Sequence, residues 1–137
     1  MFEWKEEYCF NIAEIDKQHK HLLEIGKKLY DILTLKDEID HYDEIVEILV
    51  ELREYTIYHF TYEEKLLKQH GYEGLQLHKR QHKSFINKII QFENQDIDEK
   101  QMEMKLKMME FLADWIEQHI LKSDHQYKDF LQEKGVY

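Results

Sequence analysis

Apolar residues recur every three to four positions along four long stretches of the chain, the spacing that lines one face of an α-helix. In the first stretch Leu22, Ile25, Leu29, Ile32 and Leu33 share a face, and Asp16 is placed to cap the helix that carries them. The charged segment LKDEID then forms the first connection. A second helix is predicted from about Tyr42 to Gln69, with Ile45, Leu49, Leu52, Tyr55, Ile57, His59, Leu66 and Leu67 on its stripe. Gly71 suits a left-handed cap at its end, and Gly74 loosens the turn that follows. The third helix is predicted from about Leu75 to Phe92, with Phe85, Ile86, Ile89 and Ile90 facing inward. After the polar stretch ENQDIDEK, a fourth runs from about Glu99 to Leu121.

The two ends read differently. The first 15 or so residues, with Trp4, Tyr8, Phe10, Ile12 and Ile15, lack helical spacing and read as an irregular arm laid over the bundle. Gln126 to Glu133 reads as a short C-terminal helix before Gly135. The pattern therefore predicts an all-α fold: an up-down-up-down four-helix bundle with an irregular N-terminal arm and a short C-terminal helix. Residues 1–137 are expected to form one domain.

Composition supports that picture. The chain has no proline and only four glycines, too few turn-makers for a fold built of many hairpins. Its net charge of -10 argues against nucleic acid or an anionic membrane as partner, because both carry phosphates. No apolar run approaches the roughly 20 residues needed to span a bilayer. The opening MFEWKEEY has no apolar signal-peptide core, and the single Cys9 reads as a small buried hydrophobe in a reducing compartment. The expected location is the cytoplasm.

The 9 histidines change the picture most. Residues four apart on a helix lie about 40° apart on one face. His59 and Glu63 therefore point together, as do His78 and His82, while His19 joins the first inward stripe near Leu22. His21 points away from His19, and His41 and His70 sit at connection ends, where solvated surface is expected. A lone histidine on an apolar face is usually a hydrogen-bonded core residue. Here each of the four helices contributes an inward one, and burying so much imidazole with Glu63 is costly unless something pairs with it. A coordinated cation removes that cost. The candidate ligands are His19, His59, Glu63, His78, His82, His119 and Asp124, with His125 the competitor to Asp124. That is too many for one closed tetrahedral zinc site, and nitrogen and oxygen donors suit iron or manganese.

Four motifs carry these residues: IDKQH at 15–19, HFTYEE at 59–64, LHKRQH at 77–82 and WIEQHILKSD at 115–124. In order and type they resemble the hemerythrin family, specifically its single-domain bacterial members, over nearly the whole chain. The resemblance implies two iron ions per chain joined by a bridging oxo or hydroxo group. One ion would be held by His78, His82 and His119, the other by His19 and His59, with Glu63 and Asp124 bridging. On two octahedral ions this set leaves one position open, beside His19 and His59, where the family takes dioxygen. Phe60, Trp115, Ile116 and Leu121 would line that oxygen pocket. Asp16, Gln18 and Glu64 are the neighbouring groups able to accept from the outer ring nitrogens.

The function the resemblance implies is reversible dioxygen binding for carriage, storage, delivery or scavenging, rather than catalysis. An oxygen or redox sensor is the first alternative, although sensory members usually carry output domains for which this chain leaves no room. A di-iron enzyme with peroxidase or oxidase-type activity is the second. Ferritin-like sites of that kind use paired Glu-x-x-His motifs, and this chain has one such string, Glu38 to His41, in an expected connection. One spacing stands out. His119 and Asp124 are five apart, about 140° on a regular helix, so a bridging Asp124 requires the backbone around Leu121 to Asp124 to bend, widen or break.

Overall fold

A computed structural model describes residues 2–35, 41–94, 101–119 and 125–136, the side chains of 101–105 excepted. Among the described residues the regular structure is entirely helical: α1 (Ala13–Leu33), α2 (Tyr42–Gln69), α3 (Leu75–Glu93), α4 (Gln101–Gln118) and α5 (His125–Glu133), preceded by a 3-10 turn at Glu6–Tyr8. α1 packs on α2 and α4, and α2 packs on α3. No helix among them is long and apolar enough to cross a membrane.

The candidate ligands reveal the direction of each helix. They fall near the start of α1 and α3 and towards the end of α2 and α4, so the helices alternate up and down. The buried apolar residues form two clusters, one on each side of this layer. Ile25, Leu29, Leu49, Leu52, Phe85, Ile89, Met108 and Leu112 fill the far end. Tyr8, Phe10, Ile12, Ile15, Leu67, Ile116, Tyr127 and Leu131 fill the near end, closed by the arm and by α5.

The arm departs from expectation in its junction with α1. The helix begins at Ala13, with Ile12 and not Asp16 at its N-cap position. Asp16 lies inside the first turn and accepts the backbone N–H of Phe10 at 2.8 Å through Oδ1. Burial in the near cluster explains the earlier start: Ile15 reaches the core from the first helical turn, and Ile12 reaches it from the extended N-cap position just before. Asn11 takes a left-handed φ of 55° and turns the arm into the helix, a conformation its short polar side chain tolerates.

Three other expectations need correction. Ile57 and Ile90 are 45% and 39% exposed, because Thr56 and Ile89, one residue earlier and about 100° away, hold the buried positions. Cys9 is only half-buried, with Sγ 3.4 Å from Asp16 Oδ2. His41 is largely covered rather than solvated, its side chain 9% exposed and its Nδ1 3.1 Å from Glu44. Gly71 does adopt the left-handed cap, at φ 72°.

Candidate metal centre

Six of the sequence-predicted ligands converge in the layer between the two clusters. His19, His59, Glu63, His78, His82 and His119 are all buried, and Glu63 is 0% exposed. Each helix of the bundle supplies at least one of them, His119 directly following the last residue of α4. Asp124 lies outside the described residues, as does Leu121 of the expected pocket. At His119 the chain has already left the regular α-helical pattern in a wider, π-type turn.

Glu63 is the centre of the arrangement. Its Oε2 lies 2.8 Å from His59 Nε2 and 3.7 Å from His119 Nε2. Its Oε1 faces the other way, 3.1 Å from His78 Nε2 and 3.3 Å from His82 Nε2. One oxygen thus serves the His59 side and the other the α3 side, the disposition of a carboxylate between two cations. Two groups of potential ligand atoms result: His19, His59, Glu63 and His119, and Glu63, His78, His82 and His119, each mutually within 4.8 Å. Glu63 and His119 belong to both.

The far side of two rings decides what can sit between them. His59 Nδ1 is 2.7 Å from Gln18 Oε1, and His82 Nδ1 is 3.1 Å from Glu64 Oε2. With those nitrogens donating outward, each Nε2 of a neutral ring presents a lone pair to the Glu63 carboxylate. Lone pair faces lone pair unless a proton or a metal ion lies between. In the metal-free chain burial works to raise the Glu63 pKa, but the opposing charges of His59 and then His119 prevail. They hold the carboxyl well below the ordinary carboxylate range. A metal cation satisfies the same geometry without protonating the rings, and the nitrogen and oxygen donor set suits iron.

Aromatic side chains wall the cluster. Phe60 stacks flat on His82, with centroids 3.8 Å apart, and Trp115 stacks on His119 at 4.5 Å. Ile116 is buried nearby in the near-end cluster. Tyr127, fully buried on α5, packs 5.5 Å from His78, a neighbour that the ligand motifs did not single out. Its four-residue spacing from Leu131 was the available signal. His125 is half-buried, edge-on to Phe10 at 4.3 Å, and belongs to neither ligand group. His21 packs against Tyr55 at 4.2 Å, on the outside of the bundle as its spacing from His19 implied.

The chain matches the family model described as Hemerythrin HHE cation binding domain over residues 11–131. It is 42% identical to a bacteriohemerythrin of Clostridium acetobutylicum over 129 residues, 94% of this chain and 100% of that protein. A bacteriohemerythrin of Pseudomonas aeruginosa is 30% identical over 92% of this chain and 78% of its own length. The myohemerythrin of Theromyzon tessulatum is 29% identical over 93% of this chain and 91% of its own. The match across most of the bundle, together with these relatives, establishes that the chain belongs to the hemerythrin family.

Proposed function

We propose that this chain holds two iron ions and binds dioxygen reversibly, as a carrier, store or scavenger. The observation that carries the reading is Glu63, buried with its two oxygens turned to two different sets of imidazole nitrogens. The ligands would be His78, His82 and His119 on one side and His19 and His59 on the other, with Glu63 and Asp124 bridging. Iron held there would supply redox-active, Lewis-acidic ions able to take one small ligand.

The protein's own residues decide what happens to that ligand. Phe60, Trp115 and Ile116 would form the pocket wall, together with Leu121, which lies outside the described residues; Phe60 and Ile116 are each 3% exposed. Such a wall excludes water and offers no acid, so it favours release of the bound molecule over its cleavage. Gln18 and Glu64 hold His59 and His82 in the tautomer that presents Nε2 inward.

The test is an optical titration of the anaerobically iron-loaded, reduced chain with oxygen, followed by oxygen removal. A charge-transfer band that appears and then disappears is the expected result, with about two irons per chain. Irreversible oxidation with rapid consumption of peroxide would instead identify an enzyme.

A further inference from the structure

The acceptors behind two of the site's histidines differ in charge. His82 donates its Nδ1–H to a carboxylate, Glu64, at 3.1 Å. His59 donates to a neutral amide, Gln18, at 2.7 Å. Both acceptors stand beside ligand candidates of the neighbouring helix: Gln18 precedes His19 on α1, and Glu64 follows Glu63 on α2. The Gln18 amide is held in one orientation because its Nε2 donates to Glu14 at 2.9 Å, which leaves Oε1 for His59.

The surroundings differ as well. Gln18 is 1% exposed. Glu64 lies on the wall of a groove of about 360 Å³ between α2 and α3, which it shares with Phe60, Lys79 and His82. A carboxylate acceptor draws on the ring proton and makes the opposite nitrogen a stronger metal donor. An amide fixes the same tautomer without adding charge.

We propose that Glu64 is a positioning residue that adds to the inequality between the two halves of the centre. Through His82 it strengthens the hold on the α3-side ion, whereas Gln18 only orients His59. The inference rests on the two-iron reading above and adds an order of affinity to it: the His82 side binds its ion more tightly than an amide acceptor there would allow.

Glu64→Gln keeps an acceptor for His82 and removes its charge, whereas Glu64→Ala removes both. The full chain is loaded anaerobically with iron(II), and iron retention is measured against a competing chelator. Melting temperatures are taken with and without iron. Glu64→Gln should lose one ion about tenfold more readily than wild type while keeping the other, and its metal-free form should melt with the wild type. Glu64→Ala should lose that ion more readily still. Retention of both ions by Glu64→Gln to within about twofold of wild type would overturn the proposal. So would simultaneous loss of both ions, or an equal drop in melting temperature with and without iron, as a purely structural role predicts. Failure of the wild-type chain to take up two irons would sink the di-iron reading itself, and it is seen before any variant is compared.

Discussion

Phe60 shows how packing and chemistry meet at one side chain. Its ring lies on His82 at 3.8 Å and 5.6 Å from Trp115, and it also closes the far-end core. Phe60→Ala removes that packing and leaves a cavity beside the ligand rings. A loss of about 3–5 kcal/mol is expected from denaturant unfolding of the metal-free protein, typical of a buried aromatic truncation. The histidines divide more sharply. His21→Ala, His41→Ala and His70→Ala should leave iron content unchanged, whereas His59→Ala should lower it; halved iron in any of the first three would break the division. Tyr55 gives a residue-scale pH prediction. Burial first, then repulsion from Tyr58, Glu14 and Glu24, raises its phenol from 10.0 to about 12. The fold favours the neutral phenol, so its contribution to stability is complete below pH 10 and is lost as pH climbs towards 12. Ultraviolet titration should show a late phenol that is missing in Tyr55→Phe. The inward histidines were legible at this scale because a four-residue step fixes direction on a helix. Their outward partners were not. Gln18 and His59 are 41 residues apart, and only the pairing of α1 with α2 brings them together.

At the scale of elements, the sequence pattern placed the helices well and their junctions less well. The limits of α2 follow from a long apolar stripe and a glycine beyond it, and the structure agrees from Tyr42 to Gln69. The start of α1 was misplaced because aspartate is favoured both as an N-cap and within the first turn, where it meets the positive end of the helix dipole. Only the burial of Ile12 and Ile15 distinguishes the two. The actual role of Asp16 is testable. It ties the arm to α1 through the Phe10 N–H, a charge-assisted bond of 2.8 Å. Asp16→Ala should cost about 1.5–3 kcal/mol and speed hydrogen exchange at the Phe10 amide. Unchanged exchange there would show that core packing alone holds the arm. Gly71 ends α2 at φ 72°, with open space where a Cβ would sit, so strain rather than collision governs its replacement. Gly71→Ala should cost about 1–2 kcal/mol in equilibrium unfolding.

The whole molecule is a polar layer held between two apolar clusters of unequal build, and this inequality predicts what metal removal does. The far cluster is made by the long helices α1, α2, α3 and α4 packed on one another, and it meets the ligand layer at Phe60, which stacks on His82. The near cluster depends on short pieces: the arm, and α5 with 9 residues, too short to be a stable helix in water by itself. Those pieces rest on Ile15, Leu67 and Ile116, each within four residues of a candidate ligand on its own helix. The up-down layering that creates this dependence was legible in the sequence, since ligands near the starts of the first and third helices and the ends of the second and fourth can meet only if directions alternate. The unequal clusters were not, because an arm without periodicity gives no register. Bound iron adds stability by binding the folded state, so chelation should lower the melting temperature of the loaded chain. Without the cation, the layer must keep Glu63 and its imidazoles buried through protonation alone, and the nearest weak structure should yield first. Hydrogen exchange of iron-loaded and iron-free protein should therefore differ most in residues 8–16 and 125–133. Ile25, Leu49 and Ile89 at the far end should stay protected in both forms. Equal loss of protection at both ends would mean that the bundle responds to metal as a single cooperative unit, and the layered account would fail.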